Sequence, residues 1–397
     1  MSPSATARSL DDAAVVAAAV VSERLPLKAA LANGRGHAAA IAASRPPPAE
    51  LDASSLVFMP TTLVRSVPEP GSPEFCSQSA CTDHMVTVSW TESHGWSCPE
   101  MKPYGPLSLL PTASVLHYAT ECFEGLKAYR GFDGKLRLFR PDRNCNRMLV
   151  SSARVALPGF PPRELEKLMK ALLAVDGPKW LPRSRPGTFI YLRPAIIATH
   201  PALGVQKPRE ALLFIVACFL PCLDEPGAAT AAVATTPQML SPVTMKATRA
   251  GLKLLASSDD MIRAWPGGYG YAKIGANYGP SLVAQAIARE RGCEQILWLF
   301  GEDCYVTEAG ASNFFVVWRT REGAVELVTA PLEEKLILDG VTRGSVLDLA
   351  RERLCGGGDG SDEKEAVEVV ERMFTMFELA EAVEEGRIIE AFAAGTA

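Results

Sequence analysis

Tyr271-Ala-Lys-Ile-Gly-Ala-Asn-Tyr-Gly-Pro280 sets a single amine, Lys273, inside an apolar run punctuated by glycine. Taking an ammonium out of water is costly, so a lysine held there has its pKa lowered, and its free amine can attack a carbonyl to form a Schiff base. The competing reading is a lysine whose stem packs on apolar surface while its head reaches solvent. The residues around the run decide between the two.

The chain has 397 residues, 48% hydrophobic and 21% charged, enough to bury a sizeable core and to form two domains. A net charge of -5, with no basic stripe interleaved with aromatics, argues against nucleic acid as a partner. No apolar run approaches the roughly 20 residues that span a bilayer. The ten cysteines are scattered without metal-ligand spacing, which predicts no metal site and reduced thiols. Cys218 and Cys222 lie closest to a pair, and their spacing fits a buried strand end as well as a redox role.

Residues 1–74 are rich in Ala, Ser and Pro and read as a low-complexity leader, disordered or targeting. Arg8, Arg24, Lys28, Arg35 and Arg45 suggest an organelle address, whereas Asp11, Asp12 and Glu23 oppose it, so cytoplasmic and mitochondrial locations both stay open. From Val86 the pattern changes to short strands. Gly131-Phe-Asp-Gly134 reads as a hairpin turn between Leu126–Tyr129 and Leu136–Phe139. Helices are expected at 141–153 and 164–175, and buried strands at 189–197 and 212–218. These make residues 75–222 a small α+β domain, with 223–250 as an interdomain connection. In residues 251–397, Leu282, Val283, Ala286 and Ile287 share one helical face. Strands are expected at 294–300, 313–318 and 367–370, a helix at 345–354, and a surface loop at 355–361. Thr375-x-x-Glu378 is a capping box opening a helix that ends at Gly386. The order predicts a mixed, barrel-like α/β domain wrapped by helices.

The segment 273–280, preceded by Ile262-Arg-Ala-Trp-Pro-Gly-Gly268, resembles the cofactor-lysine segment of branched-chain aminotransferases, which are fold-type IV pyridoxal-phosphate enzymes. The resemblance extends through Cys81-Thr-Asp-His-Met85, Leu116-His-Tyr118, Cys122-Phe-Glu-Gly-Leu-Lys-Ala-Tyr129, Leu136-Arg-Leu-Phe-Arg-Pro141 and Tyr191-Leu-Arg-Pro194. It continues in Arg291-Gly-Cys-Glu-Gln-Ile-Leu-Trp-Leu299, Thr307-Glu-Ala-Gly310, Asp339-Gly-Val-Thr-Arg343 and the terminal Gly395-Thr-Ala397. It implies a two-domain fold-type IV enzyme carrying pyridoxal 5'-phosphate on Lys273.

Such a cofactor needs a carboxylate against its pyridine nitrogen, to hold the proton that makes the ring an electron sink. The resemblance places Glu308 there, where motif-free reading leaves a solvent-facing loop glutamate. The phosphate carries roughly -1.5 to -2 charges and suits a helix N-terminus plus an arginine fork. Val341 and Thr342, ahead of a helix expected to begin near Arg343, can present backbone N–H groups to it. Arg147 is similar to the family's phosphate arginine, otherwise reading as a surface helix arginine, and Thr396 resembles a second phosphate hydroxyl. Tyr278 is similar to the tyrosine on the cofactor's phenolic oxygen. For substrate, the resemblance implies Tyr118, Tyr191 and Arg193 around the acyl pocket, with backbone near Ala311 and Ala397 receiving the α-carboxylate. Tyr191 fits a sheet core equally well. Tyr118 is expected from the neighbouring subunit of a homodimer.

The implied reaction moves the amino group of leucine, isoleucine or valine to 2-oxoglutarate, with Lys273 as the free amine that shifts the proton. Four features depart from the family pattern. The family continues past Ala397 with further strand and helix, so the resemblance implies a truncated C-terminal part. Ala311 replaces a threonine of several relatives. A linker tyrosine after Phe219 and a Cys-x-x-Cys pair are missing. The alternatives are another fold-type IV activity, such as a D-amino acid aminotransferase or aminodeoxychorismate lyase, and a truncated inactive chain.

Overall fold

Nine strands form the first sheet: β1 Val57–Phe58, β2 His84–Thr91, β3 Gly95–Trp96, β4 Glu100–Pro103, β5 Glu121–Phe123, β6 Leu126–Arg130, β7 Leu136–Leu138, β8 Phe189–Ala198 and β9 Glu210–Cys218. The computed structural model describes residues 47–220, 251–355 and 366–395. The strand order is β1-β4-β2-β9-β8-β6-β7, with β3 on β2 and β5 on β8, and all pairs are antiparallel except β1 with β4. Part of the stretch that reads as leader is built into this sheet. Val57 and Phe58 pair with Glu100 and Met101, and Leu51 is buried in the core.

Helices α1 Pro141–Arg154 and α2 Pro162–Trp180 pack on this sheet. In α2, Leu165, Leu168, Met169 and Leu172 recur at helical spacing and are all fully buried, so one stripe of the helix supplies the floor of the core. The helix runs five residues beyond the expected end at 175. Asp176 explains part of that extension, because its carboxylate accepts from the His84 backbone N–H at 2.9 Å and lies 2.7 Å from His84 Nδ1.

The second sheet holds β10 Leu254–Ala256, β11 Gln295–Phe300, β12 Tyr305–Ala309, β13 Ser312–Arg319, β14 Val325–Thr329, β15 Val367–Glu371 and β16 Ile388–Ala394. It is mixed, parallel at β10–β11 and β14–β15 and antiparallel elsewhere, and β16 runs along β13. Helices α3 Ser281–Glu290, α4 Val341–Arg353 and α5 Met376–Glu384 accompany it. The capping box is formed in full: the Thr375 hydroxyl accepts from Glu378 N–H, and the Glu378 carboxylate accepts from Thr375 N–H. Helix α3 differs from expectation. Its buried face is Ala284 and Ala288, packed with Ile296 and Trp298, while Leu282 and Val283 are exposed. Small side chains let the helix approach the sheet closely, which an apolar count on a helical wheel does not register. The described residues from 49 onward belong to one compact unit.

Truncating Leu168 to Ala removes a fully buried side chain from the centre of the α2 stripe, and should lower unfolding free energy by about 2–5 kcal/mol in urea titrations. A loss below 1 kcal/mol would contradict this packing.

Candidate active site

Lys273 is held by its neighbours. Ala272 and Ile274 are both buried in the core of the first sheet, and Ile274 N–H donates to the Ala272 carbonyl at 3.2 Å, closing a tight turn with Lys273 at its centre. Two hydrogen bonds fix that segment: Lys273 N–H donates to Ser151 Oγ at 2.8 Å, and Phe123 N–H donates to the Lys273 carbonyl at 3.0 Å. Ser151 in turn donates to the Arg147 carbonyl, so one turn of α1 carries both the lysine's anchor and Arg147.

The Lys273 Nζ lies 3.3 Å from the Tyr278 hydroxyl and 5.0 Å from the centre of the Phe123 ring. Burial lowers the pKa of the amine; Glu124 opposes that shift, while Arg147 and Arg193 reinforce it. Burial likewise raises the Tyr278 hydroxyl, against the pull of Arg263 and Arg147. Tyr278 therefore stands within the field of both charged groups that the cofactor hypothesis requires, Glu308 and Arg147.

Arg147 is not a solvated helix arginine. Its Nε and Nη2 donate to the two oxygens of Glu124 at 2.6 and 2.8 Å, and its Nη1 donates to the Asp339 carbonyl at 2.8 Å. Glu124 is fully buried and also accepts from Asn144 Nδ2 and from Gly125 N–H. Burial alone would lower the Arg147 pKa, but the Glu124 charge and hydrogen bonds outweigh it and leave it raised. Three of the five guanidinium N–H groups are used, which leaves two for another anion. The contact with Asp339 brings Arg147 to the start of α4. That helix begins at Val341, earlier than expected, with Gly340 as its N-cap and no side-chain cap, so the N–H groups of Val341 and Thr342 belong to an uncapped first turn. A Cβ at Gly340 would meet Asn313 Oδ1 at 2.0 Å, so this entry to the helix admits only glycine without displacement. The Thr342 hydroxyl donates to the Gly395 carbonyl, which leads to Thr396; Thr396 and Ala397 lie outside the described residues.

Glu308 on β12 is 2% exposed. Its Oε1 accepts from Asn313 Nδ2 at 3.0 Å and from Leu338 N–H at 3.1 Å. Its Oε2 lies 2.6 Å from Arg263 Nε, a countercharge for a buried carboxylate, yet receives no aligned hydrogen bond. A buried carboxylate oxygen in need of a donor is what a protonated pyridine nitrogen would satisfy. Together with the two spare Arg147 donors, the α4 N-terminus and the desolvated Lys273 amine, it fits pyridoxal 5'-phosphate.

On the other side of Lys273, Arg193 lies over the Phe123 ring at 4.4 Å, and its Nη2 donates to the Tyr191 hydroxyl at 3.1 Å. Arg193 Nε is buried without a partner. A Cβ on Gly125 would come within 1.6 Å of the Tyr191 hydroxyl, so that glycine makes room for the tyrosine. Tyr118 is not brought to this cluster within the chain: it sits on an exposed helical turn and donates to the Leu203 carbonyl. Ala311 is exposed at the tip of the β12–β13 hairpin. Glu124, Arg263, Asn313 and Phe123 had no role from sequence. Three of them stand inside the quoted motifs, but only the fold shows which side chains converge.

The amino-transferase class IV family model matches residues 121–384. The cytosolic branched-chain-amino-acid aminotransferase of Mus musculus is 43% identical over 345 residues, covering 87% of this chain and 80% of that protein. The cytosolic enzyme of Saccharomyces cerevisiae is 43% identical over 350 residues (88% and 84%), and the mitochondrial one of Schizosaccharomyces pombe is 39% identical over 350 (88% and 74%). Among solved structures, the Escherichia coli branched-chain amino acid aminotransferase has a TM-score of 0.55 at 22% identity, covering 79% of this chain and 83% of that one. The PLP form from Thermobaculum terrenum has a TM-score of 0.56 at 21% identity, with coverage of 80% and 83%. These two likenesses establish a shared fold.

The Lys273 amine also leaves a trace in stability. Its pKa in the folded chain lies below the ordinary 10.5, so between those two values the unfolded chain binds more protons and stability rises with pH. Below that window the cost of burying the amine is undiminished. The cofactor-free Lys273→Met variant should therefore be more stable than the wild type near neutral pH, with the gap narrowing as pH approaches 10.5. Urea midpoints across that range that run parallel would contradict the burial.

Proposed function

The chain belongs to the class IV aminotransferases, and from that premise we propose that it transfers the amino group of leucine, isoleucine or valine to 2-oxoglutarate. The observation that carries this reading is the convergence on Lys273 and Tyr278: a desolvated amine 3.3 Å from the Tyr278 hydroxyl, which itself stands in the field of both the Arg147–Glu124 and the Arg263–Glu308 pairs. The full-length relatives named for branched-chain amino acids favour this activity over other reactions of the same fold.

When bound, pyridoxal 5'-phosphate supplies an aldehyde and a ring that takes up electrons from the substrate's α-carbon. The protein's part follows from its own atoms. Glu308 Oε2 would accept a hydrogen bond from the ring nitrogen and keep the proton there. Arg147, with the N–H groups of Val341 and Thr342 and the Thr342 hydroxyl, would hold the phosphate, joined by the expected hydroxyl of Thr396, which lies outside the described residues. Tyr278 would orient the ring through its phenolic oxygen and keeps Lys273 Nζ within reach. With its pKa lowered, the Lys273 amine is neutral more of the time, so Nζ could act as the base that takes the proton from the substrate's α-carbon.

Phe123, Tyr191 and Arg193 form the wall for the side chain. The aromatic faces take a branched aliphatic group, and the unpartnered Arg193 Nε gives the distal carboxylate of 2-oxoglutarate a donor. Backbone at Ala311 would receive the α-carboxylate; Ala397, its expected companion, lies outside the described residues. In this reading residues 75–222 carry the wall, 251–397 carry most of the cofactor cradle, and 223–250 connect them. The chain works as a homodimer in which Tyr118 reaches the pocket of the second copy, consistent with the exposed Leu116 on the same helical turn and the exposed Leu203 whose carbonyl meets the Tyr118 hydroxyl. Among the described residues no helix is long and apolar enough to cross a membrane. The site of action is the cytosol or the mitochondrion, as in the named relatives.

Leucine with 2-oxoglutarate should give 4-methyl-2-oxopentanoate and glutamate, and Lys273→Ala should lower that turnover by at least about a thousandfold. Turnover retained in the alanine variant would overturn the role of Nζ.

A further inference from the structure

Cys81 and Cys218 face each other across two chain segments. Thr82 N–H donates to the Ala217 carbonyl at 2.9 Å and Phe219 N–H donates to the Ala80 carbonyl at 3.1 Å, so the two cysteines between them form a non-hydrogen-bonded antiparallel pair. At such positions the Cα atoms stand about 4.5 Å apart, with both side chains on one face. That lies within the span a disulfide bridges, about 4.4–6.8 Å. Both cysteines are free thiols in the structure, Cys81 buried and Cys218 half-buried at the end of β9. Cys222, the partner suggested by spacing, lies outside the described residues.

The surroundings divide the two sulfurs into attacker and resolver. The Cys218 thiol and the Tyr104 hydroxyl donate to Cys81, and the Arg65 guanidinium, stacked 4.6 Å over the Tyr104 ring, adds a positive charge. These hold Cys81 down to about 6 despite its burial, while Cys218, as the donor, is pushed up. At Cys122 and Cys145, the other buried cysteines among the described residues, burial dominates. Burial pushes Cys122 up to about 12 and raises Cys145 as well. The difference matters because the thiolate is the nucleophile in sulfur oxidation.

We infer that Cys81 and Cys218 are a redox-active dithiol, which hydrogen peroxide closes to a cross-strand disulfide and a thiol reductant reopens. The Cys81 thiolate attacks one peroxide oxygen; the O–O bond breaks and the departing hydroxide takes up a proton as water. Cys218 Sγ then attacks the resulting sulfenic acid at sulfur; the S–O bond breaks and hydroxide leaves with the Cys218 proton as a second water. The two sulfurs give up two electrons to the peroxide, and dithiothreitol returns them with two protons. Cys218 is the register partner of Tyr191 on β8, so the bond forms one strand from the aromatic wall.

The test treats the cofactor-loaded protein with hydrogen peroxide, blocks remaining thiols with iodoacetamide under denaturing conditions, and maps the digest by mass spectrometry. The expected result is one peptide joining Cys81 to Cys218, lighter by two hydrogens than the two thiol peptides and split again by dithiothreitol. In Cys218→Ser the link is lost and the Cys81 sulfenic acid accumulates, visible as a dimedone adduct several-fold above wild type. Both cysteines alkylated after peroxide, Cys81 carried to sulfinic acid without a link, or a link to another cysteine would overturn the inference. Should the serine variant fail to fold, the wild-type map decides alone.

Discussion

Desolvation of one amine organises this protein. Lys273 is kept from water because the residues on either side of it, Ala272 and Ile274, belong to the core of the first sheet. Burying such side chains is worth roughly 1–3 kcal/mol each, and that gain is spent on placing an amine where water would not put it. The backbone is held from two directions, by Ser151 of α1 and by Phe123 of β5. Displacing either contact would let the side chain relax toward solvent, where its pKa returns to the ordinary range and its nucleophilicity at neutral pH falls.

The charges around the lysine follow from the same condition. A desolvated site holds lone ions only at a cost, and two of its arginines come paired with a carboxylate: Arg147 with Glu124, and Arg263 with Glu308. Each pair nevertheless leaves something open, two guanidinium donors in one case and a carboxylate oxygen in the other. In the proposed reading these open groups would serve a phosphate and a pyridine nitrogen, so the site would be built before its cofactor arrives. Such preorganisation spares the reorganisation that water would require during proton transfer.

Much of this was legible in the chain. Local rules suffice for the Gly131–Gly134 hairpin and the Thr375–Glu378 capping box, because turn and cap chemistry acts over a few residues. The motifs placed Lys273, Tyr278, Glu308 and Arg147 as candidates. What stayed hidden needs the third dimension. The Arg263–Glu308 and Cys81–Cys218 pairs join positions far apart in sequence, and no periodicity marks them. The face of α3 was hidden for another reason: close approach to the sheet selects Ala284 and Ala288 over the larger Leu282 and Val283, so hydrophobicity alone points to the wrong side.

The central claim is that the nitrogen at position 273, among all the lysines of the chain, bonds the cofactor. Reducing the pyridoxal 5'-phosphate complex with borohydride and sequencing the labelled peptides tests it directly. The account predicts a single phosphopyridoxyl label, on Lys273, within the peptide that contains Tyr271 and Tyr278. A label on another lysine, or none at cofactor saturation, would contradict it.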